Sequence, residues 1–269
     1  MLWKRLLSGI LGIIILLAVV FSGSFPFFIV SLLLAGVGAV EYYRLLPFAG
    51  DDNQLLLPLL VIIMLSILYF VPGENKFTAA ALFLFLVFIY FFLKQIKNQG
   101  YNDILLKLGS KIFGLIYLSG GIYFFILLRD FAISPLEETK ALWLVIVATW
   151  MTDTGAYFVG RFWGKKPLAP SISPNKTVAG GLGGLILSII AFSIFVYLIG
   201  TFNLILLLSA PIISLAAMLG DLFISCLKRD AGVKDAGNII PGHGGVLDRF
   251  DSMLFSAPAA YFIFYFLLL

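Results

Sequence analysis

Apolar runs separated by short polar breaks follow one another along the whole chain. A helix that crosses a bilayer needs about 20 mostly apolar residues, and nine stretches approach or reach that length. Proline and glycine residues punctuate the breaks between them. The nine predicted transmembrane helices are Leu6–Phe21, Phe27–Leu46, Leu55–Val71, Phe77–Leu93, Ile112–Leu128, Ala141–Phe162, Val178–Gly200, Leu204–Leu227 and Ser252–Leu269.

Two apolar segments need separate interpretation. The first stretch follows Lys4 and Arg5 and resembles a signal peptide, but it lacks a convincing small-residue cleavage site. We expect it to remain as the first helix. Ile104–Leu108 is too short to span a bilayer, and we expect it to lie along the membrane interface.

The composition favours a bilayer as the surrounding solvent. Of the 269 residues, 61% are hydrophobic and 12% are charged, whereas a soluble domain carries about 25% charged residues. The sequence therefore predicts an all-α fold, a polytopic membrane helical bundle with about nine transmembrane helices.

The distribution of positive charge orients this bundle. If the nine helices alternate in direction, 15 of the 18 Lys and Arg residues fall on the side of the N-terminus, and Lys76, Arg129 and Lys140 fall on the other. The positive-inside rule then places the N-terminus in the cytoplasm. The same rule explains the net charge of +4 without a nucleic-acid partner.

Charged and glycine-rich loops concentrate in the second half of the chain. We therefore divide it into residues 1–135, expected to form scaffold helices with oligomer contacts, and residues 136–269, expected to form the catalytic helices. The loops between predicted helices six and seven (the 6–7 loop) and between eight and nine (the 8–9 loop) would both face the cytoplasm.

Two aspartates lie inside predicted helices, Asp153 in the sixth and Asp221 in the eighth. A charge at such depth costs on the order of 3 kcal/mol and usually marks a functional site or a water-filled cavity. A structural pair with a buried lysine or with helix-end donors is the alternative interpretation.

One face of the eighth helix combines acidic and basic groups. Asp221, Ser225, Lys228 and Arg229 recur at i, i+4, i+7 and i+8, which places them on a common face. The carboxylate suits a divalent cation, and the basic groups above it suit phosphate. Without the aspartate, the two basic residues would be an ordinary positive-inside cap.

The 8–9 loop contains the only histidine, His243, flanked by glycines. Gly244 and Gly245 allow backbone amides to approach an anion closely. Asp248 and Asp251 follow at i, i+3 at the start of the last helix, where we expect them to face the same way. Helix capping explains one aspartate, so catalysis or metal binding is the stronger interpretation of the whole loop.

The 6–7 loop is basic and rich in Ser, Thr and Gly, with Lys176 and Thr177 just before the seventh helix. This composition favours phosphate binding, although the spacing is not that of a Walker loop. Alone, the segment would be an ordinary positive-inside loop. Gly180 and Gly184 predict a close helix-packing face. Acidic residues and basic loops on one side together fit phosphoryl or nucleotidyl transfer.

A specific resemblance rests on three runs: SCLKR at 225–229, KD at 234–235 and PGHGGVLDRFD at 241–251. With their spacing, they resemble the signature of the phosphatidate cytidylyltransferases, also called CDP-diacylglycerol synthases. The run at 173–177 is similar to the family's Ser-Pro-Lys-Lys-Thr stretch, and the resemblance covers residues 145–255. The departures, which we leave out of the site, are Asn175, Ala179 and Ile224.

The resemblance implies a magnesium-dependent attack of a phosphatidate oxygen on the α-phosphorus of CTP, with release of pyrophosphate. The expected catalytic residues are Asp221, Asp248, Lys228, Arg229 and Asp251. The residues expected to contact phosphates are Lys176, Thr177, Ser225, Lys234, His243, Gly244, Gly245 and Arg249. The residues expected to hold Mg²⁺, with room for a second cation, are Asp221, Asp248, Asp251 and Asp153.

Other interpretations stay open at this point. The same chemistry on an isoprenoid-type lipid phosphate is one, an ion-coupled transporter is another, and a noncatalytic membrane scaffold is a third. For the favoured interpretation we expect CTP, phosphatidate and the lipid bilayer as partners, and a homodimer packed through glycine- and aromatic-rich helix surfaces. The expected location is the inner (plasma) membrane, with the active site facing the cytoplasm.

Overall fold

A computed structural model of the protein describes residues 2–47, 53–97, 103–240, 242 and 244–268, without the side chains of residues 2–7 and 205. Most of the described residues are helical. The helices are α1 (Leu2–Phe21), α2 (Ser24–Leu45), α3 (Leu56–Phe70), α4 (Asn75–Lys97), α5 (Ile104–Arg129), α6 (Lys140–Trp163), α7 (Val178–Leu198), α8 (Leu204–Leu207), α9 (Ser209–Asp230), α10 (Leu247–Phe250) and α11 (Met253–Leu268). The strands are β1 (Pro167–Ala169) and β2 (Ser173–Thr177).

Each predicted transmembrane segment corresponds to one of the longer helices. Within the described ranges, seven segments are long and apolar enough to cross a bilayer, with α10 and α11 taken together as Leu247–Leu268. The part of α1 from Ser8 to Phe21 and helix α3 (Leu56–Phe70) are shorter apolar segments. Large apolar side chains such as Phe85 of α4 point outward and are exposed, as expected for a surface solvated by lipid. The predicted all-α polytopic membrane fold is confirmed.

Two predicted boundaries were wrong. Ile104–Leu108 does not form a separate interfacial segment, because it is the beginning of α5. Lys111 lies inside that helix. Its side chain is buried, with the ammonium group 5.0 Å from the ring centre of Phe91. The eighth predicted helix is divided into α8 and α9, and Pro211 lies in the first turn of α9, where its missing N–H is tolerated.

Contacts between helix ends show the relative direction of α2 and α5. Ser24 at the start of α2 donates a hydrogen bond to Asp130 just after α5 (2.8 Å), and Tyr42 near the end of α2 donates to the carbonyl of Ser110 near the start of α5 (2.9 Å). The two helices are therefore antiparallel, as the predicted alternation requires.

Glycines and hydroxyl groups hold together the helices that carry the site. A Cβ atom at Gly180 would lie 2.8 Å from the carbonyl oxygen of Ala156, and one at Gly184 would lie 2.6 Å from that of Thr152. The predicted packing face of α7 is thus confirmed, with α6 as its partner. Thr152 also donates a hydrogen bond to Ser214 of α9 (2.8 Å), which ties α6 to α9.

The 6–7 loop contains a structure that the sequence analysis did not predict. Strands β1 and β2 form an antiparallel hairpin with Pro167 opposite Thr177 and Ala169 opposite Ser173. The second strand leads directly into α7, so Lys176 and Thr177 have fixed positions at the end of the helical bundle.

Candidate active site

A cavity of about 550 Å³ opens between α6, α7, α9 and the hairpin. It combines two carboxylates and two cationic side chains with an apolar wall. The predicted Asp153 and Asp221 meet there, although they come from different helices. The lining includes Asp153, Tyr157, Arg161, Leu168, Asn175, Lys176, Thr177, Met218, Asp221 and Leu222.

The central feature of the cavity is an ion pair. Lys176 Nζ lies 2.5 Å from Asp221 Oδ2, and both side chains remain about 30% exposed (29% and 31%). Ser225 is placed to donate a long hydrogen bond to Asp221 Oδ1 at 3.5 Å. Thr177 caps α7, since its Oγ1 accepts a hydrogen bond from the Gly180 N–H (3.1 Å). The pair neutralises a carboxylate that would otherwise be costly in a membrane.

The second carboxylate of the cavity, Asp153, is exposed on the cavity wall. Among the described residues it forms no ion pair, although it interacts electrostatically with Asp221, Lys176 and Arg249. Asp153 is therefore the acidic group of this cavity that is open to an incoming cation.

This pair of carboxylates fits magnesium. Mg²⁺ prefers oxygen ligands and is usually held by one or two carboxylates together with substrate phosphates, and Asp153 and Asp221 supply two carboxylates beside one cavity. In the part of the chain that the structure describes, no group of three His, Cys, Asp or Glu side chains is arranged to hold a metal. The assignment of four aspartates as metal ligands therefore stays a prediction.

Asp248 has a different environment. Its Oδ1 accepts a hydrogen bond from Lys228 Nζ (2.7 Å), and its Oδ2 accepts the N–H groups of Ala236 and Gly245 (2.9 Å each). The Asp248 and Lys228 side chains are only 3% and 12% exposed. Asp248 thus orients Lys228 and the loop backbone, and the Gly245 amide that we predicted for phosphate is directed to Asp248.

The partners of Asp251 differ from those of Asp248. Helix α10 ends at Phe250, and Asp251 Oδ1 accepts the N–H of Ser252 (2.7 Å). Its charge interacts with those of Asp221 and Asp153. Asp251 is therefore close enough to Asp221 and Asp153 to interact with them electrostatically, whereas Asp248 binds the backbone of the 8–9 loop.

Three other predicted residues do not line the cavity. Arg229 is exposed and donates to the carbonyl groups of Ile172 (Nε, 3.2 Å) and Val233 (Nη1, 3.0 Å), so it joins the hairpin to the 8–9 loop. Lys234 is exposed in that loop. Gly244 has a left-handed φ of +84°, which favours glycine. His243 lies outside the described residues.

Two further buried residues, Ile224 and Glu41, bear on the sequence analysis. Ile224, which stands where the family often has an acidic residue, is fully buried in the core. The sequence analysis missed Glu41 of α2, a buried carboxylate that accepts hydrogen bonds from the Val246 and Leu247 amides. The available signal was a glutamate inside a predicted transmembrane helix.

These features define a polytopic membrane protein with an acidic and basic cavity at one end of its helices. The chain matches the model of the cytidylyltransferase family over residues 3–267 and belongs to that family. The predicted enzyme class, a nucleotidyltransferase, is thereby confirmed.

Named relatives extend this result. The chain is 36% identical to the phosphatidate cytidylyltransferase of Bacillus subtilis (strain 168) over 270 residues, which cover 97% of this chain and 96% of the relative. It is 52% identical to the protein of the same name from Staphylococcus haemolyticus (strain JCSC1435) over 115 residues, covering 42% of this chain and 44% of the relative. For Staphylococcus aureus (strain COL), identity is 53% over 112 residues, covering 40% and 43%.

Proposed function

We propose that this protein transfers the cytidylyl group of CTP to phosphatidate, which forms CDP-diacylglycerol and releases pyrophosphate. The observation that carries the proposal is the cavity in which Asp153 and the Lys176–Asp221 pair lie beside an apolar wall. The names of the relatives support the two substrates. The isoprenoid-phosphate and transporter alternatives find no support in those names.

Magnesium, when bound, would neutralise negative charge on the phosphates. Asp153 and Asp221 would hold it. In the structure Lys176 neutralises Asp221, and a triphosphate offers Lys176 a partner with more negative charge. Movement of the lysine to that partner would free the Asp221 carboxylate for the cation.

Arg161 is the residue that we assign to the lipid phosphate. Its Nη1 donates to the Tyr157 hydroxyl (2.7 Å), and the guanidinium lies 6.0 Å from the centre of that ring. Among the described residues it pairs with no carboxylate, so it can bind an anion without first breaking an ion pair. Exposed Phe158 and Phe162 lie on the same helix end, as expected of aromatic side chains at a membrane surface.

The reaction then needs orientation and charge neutralisation more than a base. A phosphatidate oxygen forms a bond to the α-phosphorus of CTP, and the bond from that phosphorus to the bridging oxygen of pyrophosphate breaks, with its electron pair leaving on pyrophosphate. Phosphatidate is already anionic, so no proton has to be removed. Lys176, Arg161 and Lys228 would offset the charge that moves onto the phosphates.

The finer predictions on assembly and location belong to the same proposal. The positive-inside rule supports a cytoplasmic site in the inner (plasma) membrane. Labelling of a cysteine introduced into the 6–7 loop, in intact and in opened cells, would test this location. The homodimer is checked by light scattering of the solubilised protein after size-exclusion chromatography.

The direct test is conversion of labelled CTP by purified protein in mixed micelles with phosphatidate and Mg²⁺. The expected result is a lipid-soluble CDP product. Consumption of CTP only with an isoprenoid phosphate would contradict phosphatidate as the substrate. A folded protein without any CTP turnover would contradict the proposed function.

A further inference from the structure

We infer that Glu41 is a positioning residue for the active site, although it lies in the half of the chain that we predicted to be scaffold. It holds the turn at residues 244–248 and, through this turn, Asp248 and Lys228. The inference rests on the proposed function, because it assigns Lys228 to the phosphates.

The Glu41 carboxylate is held by the backbone of the 8–9 loop. Glu41 is 1% exposed, and its Oε1 and Oε2 accept the N–H groups of Val246 (3.0 Å) and Leu247 (2.7 Å). No lysine or arginine pairs with Glu41 among the described residues. Because a buried carboxylate is stable only when its oxygens are satisfied, these two amides hold the turn against α2.

Two glycines allow this close approach. A Cβ atom at Gly245 would lie 2.6 Å from the Glu41 carboxyl carbon, and one at Gly237 would also overlap the carboxylate. The loop backbone therefore contacts the same carboxylate from two separate segments. A side chain at either position would displace the loop from α2.

The turn connects Glu41 to the cationic group of the site. Gly245, whose neighbour Val246 donates to Glu41, gives its own N–H to Asp248, and Asp248 holds Lys228. Glu41 and Asp248, one from each half of the chain, thus accept four N–H groups of one loop. The donors are Ala236, Gly245, Val246 and Leu247. Loss of the Glu41 acceptors would release the turn and let the Asp248–Lys228 pair move relative to the cavity.

The test compares Glu41→Gln with Tyr42→Phe in purified protein. Glu41→Gln keeps the side-chain shape but turns one acceptor into a donor that faces an N–H group. Tyr42→Phe is the matched control, since it removes a partly buried hydrogen bond from the next residue of α2 to Ser110, away from the loop. The measurements are kcat, the KM for CTP, the Mg²⁺ half-saturation, the unfolding temperature and amide exchange of residues 244–248.

We expect Glu41→Gln to lower kcat about tenfold or more, as small displacements of catalytic groups do, and to speed amide exchange at 244–248. The Mg²⁺ half-saturation should stay unchanged, because Asp153 and Asp221 lie elsewhere. Tyr42→Phe should lower the unfolding temperature while kcat is retained.

The inference would be overturned by an unchanged kcat or an unchanged amide exchange in Glu41→Gln. An equal loss of kcat in Tyr42→Phe would also overturn it. Amide exchange requires no turnover. If wild-type protein fails to convert phosphatidate, the proposed function fails, and exchange at 244–248 still decides whether Glu41 holds the turn.

Discussion

Lys176 and Asp221 form an ion pair, 2.5 Å long, between the hairpin of the 6–7 loop and the middle of α9. A second pair, Lys228 with Asp248, lies in the 8–9 loop. One predicted phosphate-binding lysine, Lys176, and one predicted catalytic lysine, Lys228, are thus each neutralised by a predicted metal ligand. This arrangement neutralises four charged side chains in the absence of substrate. Under the proposed function, Lys176 would exchange Asp221 for a phosphate of CTP.

Asp221→Asn tests the proposed metal site. We expect turnover to fall on the order of 100-fold, similar to the loss of other groups that stabilise a charged transition state, and the Mg²⁺ half-saturation to rise. A Mg²⁺ titration of CTP conversion measures both effects. Asp230→Asn, an exposed aspartate at the end of the same helix, is the control and should behave like wild type. An unchanged Mg²⁺ half-saturation in Asp221→Asn would remove this residue from the metal site.

Asp248→Asn should also abolish most CTP conversion, but for another reason. The asparagine leaves Lys228 without its carboxylate and weakens the hold on the loop amides. We therefore expect the residual activity to keep the wild-type Mg²⁺ half-saturation. A strongly raised half-saturation would instead support the sequence-based prediction that Asp248 is a metal ligand.

Lys228→Gln and Arg229→Gln should separate two adjacent basic residues. Removal of Lys228 leaves the buried Asp248 charge uncompensated, which typically costs about 3–5 kcal/mol. Arg229 makes exposed hydrogen bonds to two carbonyl groups, each worth about 1 kcal/mol. Unfolding temperatures and kcat should both fall more in Lys228→Gln. A larger loss of kcat in Arg229→Gln would instead support the predicted catalytic role of Arg229.

Arg161→Gln should raise the KM for phosphatidate while the KM for CTP stays near the wild-type value. The physical reason is the loss of a guanidinium that can make two hydrogen bonds to a lipid phosphate. Surface-dilution kinetics in mixed micelles measure the lipid KM separately. Tyr157→Phe removes only the hydroxyl that accepts from Arg161 and should have a smaller effect. A raised KM for CTP alone would move Arg161 to the nucleotide side.

Local sequence patterns were sufficient for the helices and for the position of the chemistry. Apolar runs of bilayer length predicted the long helices, since the bilayer imposes length and hydrophobicity on each segment separately. Lys176 and Asp221 were singled out by residue type and place in the chain, and the structure brings them together. The pattern over residues 225–251 indicated the family to which the whole chain belongs.

Tertiary structure decided which groups meet. Glu41 docks on the amides of Val246 and Leu247, and Arg229 on the carbonyl of Ile172, because backbone donors and acceptors become partners only after distant segments pack. Such contacts leave no periodic signal in the sequence. Hydropathy and motif spacing therefore determined the membrane fold and the family, whereas the neutralising pairs and the role of α2 in holding the 8–9 loop follow from packing alone.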